Sequence, residues 1–281
     1  MTRTLDPKIT SLLALLEFSL NSLFQAYGRA FVRRILLRHP LRTLRCLPAY
    51  RQILGSHRPE ERLLFRDEED EFVRRAAGDG ERLLIGTGFC QKPLRPAPAQ
   101  AMAGLSAVGD AYDCPAGRFN HDCLYLSRLK LDSTSKVQFA PACADCSIRL
   151  LGLAALKAGA SFAVLTSALD IANDILLPAL EEQRFTRVLF AICPYSVEPI
   201  SLALLICGVE GFIFHYNAGS CVNYQQWLRA DGGNKPERTA LSPQTTSRML
   251  RLLEAITACH RSDRATQPTR YEQVSNVFRP R

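Results

Sequence analysis

No stretch of this sequence stays apolar long enough to cross a bilayer. A spanning helix needs about 20 consecutive apolar residues, and the best candidate, residues 9–28, is broken by Glu17, Asn21 and Gln25. The apolar start is followed by an arginine-rich segment rather than a small-residue cleavage site, which is not the pattern of a secretory leader. No P-loop, no H-E-x-x-H pair and no Ser/His/Asp signature is present, and Gly86-Thr87-Gly88 is too short for a dinucleotide fingerprint. Those absences set aside the common nucleotide-binding and hydrolase readings. Aromatic residues are not interleaved with a basic groove pattern, so nucleic-acid binding is disfavoured despite the positive charge. There is one tryptophan, Trp227, and no internal repeat.

Cysteine, by contrast, is abundant. Ten occur in 281 residues, with 35 Lys and Arg against 27 Asp and Glu and a hydrophobic share of 47%. The composition is that of a globular chain. The missing leader pattern predicts a reducing cytoplasm, where clustered cysteines serve as metal ligands or redox groups more often than as disulfides.

Along the chain, three segments are expected. Residues 1–80 form a basic helical N-terminal segment. Leu12, Leu13, Leu16, Leu20, Leu23, Phe24 and Tyr27 recur at helical spacing. After them Arg29, Arg33, Arg34, Arg38, Arg42, Arg45 and Arg51 alternate with leucines. That pattern suits a peripheral membrane contact, or a helical cap whose arginines reach out to water. The run Arg66 to Glu71 marks a charged connector. Residues 81–260 form a cysteine-rich α/β domain. A buried strand from Leu83 ends in a glycine turn at Cys90, and Pro93 to Pro98 impose a loop. Then strands at 161–166, 187–192 and 209–215 alternate with helices at 148–157, 170–182 and 198–207. This alternation predicts βαβ units, a parallel sheet and cysteines at strand ends. Residues 261–281 are expected to be a disordered basic tail.

Seven cysteines fall in loops or at strand ends: Cys90, Cys114, Cys123, Cys143, Cys146, Cys193 and Cys221. Ligand sites in parallel sheets lie beyond the carboxyl ends of the strands, and converging soft thiolates suit an iron–sulfur cluster or zinc. Cys90, Cys193 and Cys221, completed by Cys143 or Cys146, are the expected ligand set. The spacing matches neither zinc knuckles nor the closely spaced run of bacterial ferredoxins. Cys46, Cys207 and Cys259 sit among apolar helical neighbours and read as core fillers. His121, Asp122 and His215 lie near cysteines and are candidate catalytic groups. Arg118, Lys235 and Arg238 are candidate anion-binding groups, the last two in the polar loop after Cys221.

Cys114-Pro115-Ala116-Gly117-Arg118-Phe119 with Cys143-Ala144-Asp145-Cys146, followed by cysteine-bearing βαβ units, resembles a group of cysteine-rich prokaryotic proteins of unknown function thought to bind iron–sulfur clusters. The resemblance covers residues 83 to 241 and implies a 4Fe-4S cluster without naming a reaction. A more distant likeness is to quinolinate synthase and hydroxymethylbutenyl diphosphate reductase. In those families three α/β lobes each give one cysteine to a four-iron cluster and leave one iron open; the threefold repeat is missing here. The first expectation is therefore a cytoplasmic iron–sulfur enzyme, an oxidoreductase or lyase, acting on a small anionic or conjugated substrate. The alternatives are a cluster carrier, maturation or electron-transfer factor docking on a redox partner or membrane, and a zinc-stabilised nucleic-acid-binding protein.

Overall fold

The computed structural model describes residues 16–55, 61–65, 68–94, 114–131, 139–263 and 268–281. Its centre is one mixed sheet of seven strands: β1 (Glu61–Leu63), β2 (Leu83–Gly88), β3 (Ser161–Leu165), β4 (Arg187–Ile192), β5 (Glu210–His215), β6 (Tyr271–Val274) and β7 (Val277–Pro280). The strand order is β1-β5-β4-β2-β3-β7-β6. β3, β2, β4 and β5 pair in parallel, while β1, β7 and β6 pair antiparallel at the two edges.

Strand residues alternate between two cores, as the two-residue period of a strand requires. Ile85, Leu189, Phe212 and Phe162 face one layer, built on α4 (Glu69–Gly78), α6 (Ser147–Lys157) and α11 (Pro243–Asp263). Leu84, Val188, Phe190 and Ile213 face the other, built on α7 (Ala168–Ile171), α8 (Leu177–Glu182) and α9 (Pro194–Cys207). With both faces covered, the central strands are apolar throughout, as buried parallel strands are. The stretch 170–182, expected as a helix open to a kink or division at Pro178, is divided: α7 passes through a π-helical turn, Ala172–Leu176, into α8. Pro178 is the cause, because it lacks an N–H and its ring crowds the preceding turn.

The N-terminal residues are helical at 16–22 (α1), in α2 (Ala26–Phe31) and in α3 (Pro40–Gly55). They pack on the α/β core. Ile35 is fully buried in the second layer. The hydroxyl of Tyr50 donates to Glu198 Oε2 at 3.0 Å, and Arg62 pairs with the same carboxylate while donating to the Ile53 carbonyl at 3.1 Å. That buried network joins α3, β1 and α9. The expected N-terminal boundary at residue 80 is thus crossed by shared core and hydrogen bonds.

The expected disordered tail is corrected by the sheet. β6 and β7 form a hairpin, and Phe278 of β7 pairs with Phe162 of β3. Tyr271 is buried and donates to the Gly152 carbonyl at 2.9 Å. The parts of the N-terminal segment before residue 16, and most of the Pro93–Pro98 loop, lie outside the described residues.

Candidate metal centre

The seven loop cysteines separate into a group of three and a group of four. The group of three sits where the parallel strands end. Cys90 is in the 3₁₀ turn Phe89–Gln91 directly after β2, Cys193 caps α9 directly after β4, and Cys221 follows β5 by six residues. α9 starts at Pro194, earlier than its apolar periodicity suggests, because proline is pre-shaped for the first helical position. Cys193 is the middle member: its thiol contacts both Cys90 and Cys221.

The turn carrying Cys90 is held from several sides. Gly88 N–H donates to the Tyr216 hydroxyl at 2.7 Å, and that hydroxyl donates to the Ala191 carbonyl at 2.5 Å. A Cβ on Gly88 would stand 3.0 Å from Cys90 Sγ and 3.1 Å from Tyr216 Oη, so only glycine leaves room here. Thr239 N–H donates to the Cys90 carbonyl at 3.0 Å, and its hydroxyl donates to Cys90 Sγ, also at 3.0 Å.

These contacts split the acidities of the three thiols. The Cys193 thiol, the Thr239 hydroxyl and the Arg118 guanidinium hold Cys90 below the usual thiol range against its burial. Although Cys221 opposes it, the Cys90 thiol and burial push Cys193 up to about 12. Cys193 and burial raise Cys221 further, with Lys235 acting the other way. Of the three thiols, Cys90 is therefore the most acidic.

The group of four is Cys114, Cys123, Cys143 and Cys146. Cys123 caps α5 (Leu124–Arg128), Cys146 caps α6, Cys143 closes the 3₁₀ turn Pro141–Cys143, and Cys114 opens the loop that returns at Cys123. Burial pushes Cys123 up to about 11, opposed by the backbone N–H groups of Leu126 and Tyr125 and reinforced by Cys146 and Cys114. Burial also raises Cys146, against the N–H groups of Arg149 and Ile148, and Cys114 adds to the rise. Cys143 is raised by burial and then by Cys146 and Cys114. Cys114, Cys123, Cys143 and Cys146 thus act on one another, whereas Cys90, Cys193 and Cys221 form a set of their own.

A buried lysine belongs to the group of four. Lys92 is 1% exposed, and its Nζ donates to the Gly117 carbonyl at 3.0 Å, the Asn120 carbonyl at 3.1 Å and Asn120 Oδ1 at 2.5 Å. Burial lowers its pKa, and Cys114, Cys123, Asp122 and Cys146 act to restore it. Lys92 carries no motif in the sequence; its position two residues after Cys90 was the only available hint.

The candidate polar residues divide by use. Arg118 is 4% exposed and donates to the backbone carbonyls of Lys235 and Glu237, and to that of Cys90 at 3.5 Å. Its guanidinium ties the 114–123 loop to the loop after Cys221, a positioning role. Lys235 is buried, pairs with Glu237 at 3.2 Å and acts on Cys221 and Cys193. Arg238 donates to the Gln91 carbonyl at 3.3 Å and the Asp145 carbonyl at 2.9 Å, spanning from the Cys90 turn to the C-x-x-C turn. His121 is fixed at the end of β3, with Nδ1 2.9 Å from the Val164 carbonyl and Nε2 2.9 Å from the Thr166 hydroxyl. Asp122 accepts from Gln273 Nε2 at 3.2 Å and faces Lys92. His215 is the half-buried last residue of β5, opposite Ile192. Of the three core-filler cysteines, Cys207 is buried in the second layer, Cys46 packs against that layer and Cys259 against the first.

The three-thiol group opens on an apolar cavity of about 340 Å³. Asp231 also lines it; burial pushes this carboxyl up to about 6, against the Ala168 N–H that donates to it at 2.6 Å. Among the described residues, no group of three or more His, Cys, Asp and Glu side chains is positioned to hold a metal ion as it stands. No protein-family model, curated protein or solved structure matches the chain.

Proposed function

We propose that the chain is an iron–sulfur protein with two thiolate centres, one closed on Cys114, Cys123, Cys143 and Cys146, and one open on Cys90, Cys193 and Cys221. The observation that carries this reading is the buried Lys92. A fully buried ammonium is costly without an anionic counterpart, and among the described residues its hydrogen-bond partners are carbonyl and amide oxygens. The groups that favour its charge are mainly thiols that burial keeps protonated in the metal-free chain. Ligation deprotonates thiols outright, so a bound cluster adds negative charge to surroundings where, among the groups acting on Lys92, Asp122 is the one carboxylate.

The donor set fits iron and sulfide. Backbone N–H groups already point at Cys123 and Cys146, and such donors tune a cluster held by thiolates. When bound, such a cluster supplies one-electron chemistry at the closed centre and an open coordination position at the three-thiol centre. An enzyme, oxidoreductase or lyase, is preferred to a carrier because the three thiols face a cavity able to hold a substrate. This chain's own contribution there is to lower the pKa of Cys90, through Thr239 and Arg118, and to keep water away with the aromatic cover of Phe18, Tyr27 and Trp227.

Anaerobic reconstitution with iron and sulfide tests the reading. The expected product is brown and carries acid-labile sulfide with iron. A colourless protein with stoichiometric zinc would make the four-thiol group a structural zinc site and end the iron–sulfur reading.

A further inference from the structure

The cavity beside the three thiols is walled by Leu23, Phe31, Leu36, Leu176, Ile192 and Leu202, and Cys90, Cys193 and Cys221 contribute to the same lining. Its volume of about 340 Å³ is that of a small-ligand site, which begins at about 300 Å³. Apart from the thiols its polar lining is sparse: Ser19, Ser22, Thr166, Ser196, Tyr27, Tyr216 and Asp231. Ser22 and Tyr27 hydrogen-bond each other at 2.8 Å, and Tyr216 is committed to the Gly88 turn. Among the described residues no cationic side chain lines it, so it is built for hydrocarbon rather than for a small anion.

The wall facing outward comes from the N-terminal helices, and those helices expose apolar side chains to water. Phe24 is 83% exposed and Leu37 70%, and Leu20, Leu41 and Leu44 are exposed as well. Residues 18–59 contain eight arginines and no Asp or Glu. Arg29, Arg33, Arg34, Arg38, Arg42 and Arg45 are all exposed. Exposed leucines and phenylalanine among arginines are the composition of a surface that lies on anionic lipid headgroups. Leu20 and Leu23 belong to both features, being exposed and lining the cavity.

We propose that the cavity takes the aliphatic tail of a lipid, drawn from an anionic membrane face through the rim formed by residues 20–44. Which end of the lipid meets the thiols rests on the three-thiol centre proposed above; occupancy of the cavity by the tail does not. The substrate class of that centre is then a lipid, in place of the small anionic molecule expected from the sequence.

The test uses the full-length, metal-free chain, so a failure of the metal reading leaves its result untouched. Titration with the fluorescent polyene cis-parinaric acid should show saturable binding of one probe per chain. Ala168→Phe and Ala230→Phe fill the cavity from half-buried positions, where the fold tolerates bulk. Each should weaken binding by about tenfold or more, with an unchanged circular dichroism spectrum. The chain should sediment with vesicles of phosphatidylcholine and phosphatidylglycerol but not with phosphatidylcholine alone. The triple variant Phe24→Ser, Leu37→Ser, Leu41→Ser, none of which lines the cavity, should lose sedimentation while its probe affinity stays within about twofold. Non-saturable probe binding, or binding that neither cavity-filling variant weakens, overturns the tail site. Equal sedimentation with both kinds of vesicle, or with neither, overturns the anionic membrane as source.

Discussion

The two thiol groups are built from opposite parts. The group of three stands on the sheet, at positions dictated by where β2 and β4 end and β5 turns. The group of four stands on loops and helix starts, held by Lys92, Arg118 and Arg238. The first has unequal acidities, with Cys90 lowered and Cys193 raised to about 12. In the second, the three thiols with resolved shifts are all raised, Cys123 to about 11. A rigid, electrostatically uneven group beside a cavity is arranged to react. A group whose resolved thiols are all raised, set around a buried cation, is arranged to be filled and closed.

Separate removal breaks the comparison most sharply. Cys123→Ser with Cys146→Ser should abolish the closed centre and leave the open one, so that bound iron after reconstitution falls by about half. Cys90→Ser with Cys193→Ser should do the converse and leave a spectrum of the closed centre alone. If either double variant loses all iron, the two groups are one centre.

Lys92→Met keeps the packing and removes the buried charge. In the metal-free chain the loss of its three hydrogen bonds offsets the relief of the buried charge, so stability in chemical denaturation should change little, while the loaded chain should lose about 1–3 kcal/mol. The loaded closed centre should become harder to reduce, because a positive charge beside it is gone. An equal loss in both forms would contradict the role given to the thiolates.

Asp231 gives a pH signature. Its folded pKa, about 6, lies above the ordinary value of 3.8. Between those values the folded chain binds more protons than the unfolded one, so stability falls as pH rises through about 4 to 6 and is level above. Asp231→Asn should remove that slope, worth about 1–3 kcal/mol at pH 7, in denaturation series at several pH values.

The smallest effect is expected at Thr239. Thr239→Val removes the hydroxyl that donates to Cys90 Sγ and should raise the Cys90 titration, read from ultraviolet thiolate absorbance. The same change should leave the titration of the four-thiol group in place.

Much of the sheet was legible because its cause is local. Val188-Leu189-Phe190-Ala191-Ile192 is a continuous apolar run closed by Cys193-Pro194, and a run of that length between turn signals is a buried strand. The hairpin of β6 and β7 was not legible. Its strands have four residues each, carry Glu272, Gln273 and Arg279 among their apolar positions, and gain their order from pairing with β3. The separation of the cysteines into three and four was hidden for a similar reason. Cys114 to Cys146 are brought together by long loops whose closure leaves no periodic trace, and Arg118 and Lys92 fix them through backbone carbonyls that every residue possesses. Tyr216 and Thr239 secure the Cys90 turn, yet they read in sequence as one more strand-end aromatic and one more loop hydroxyl.

The existence of two separate centres is tested most directly by native mass spectrometry of the anaerobically reconstituted full-length chain. The account predicts a species with two cluster masses, reduced to one in each double-cysteine variant. A single cluster mass lost in both variants, or a zinc adduct alone, would contradict it.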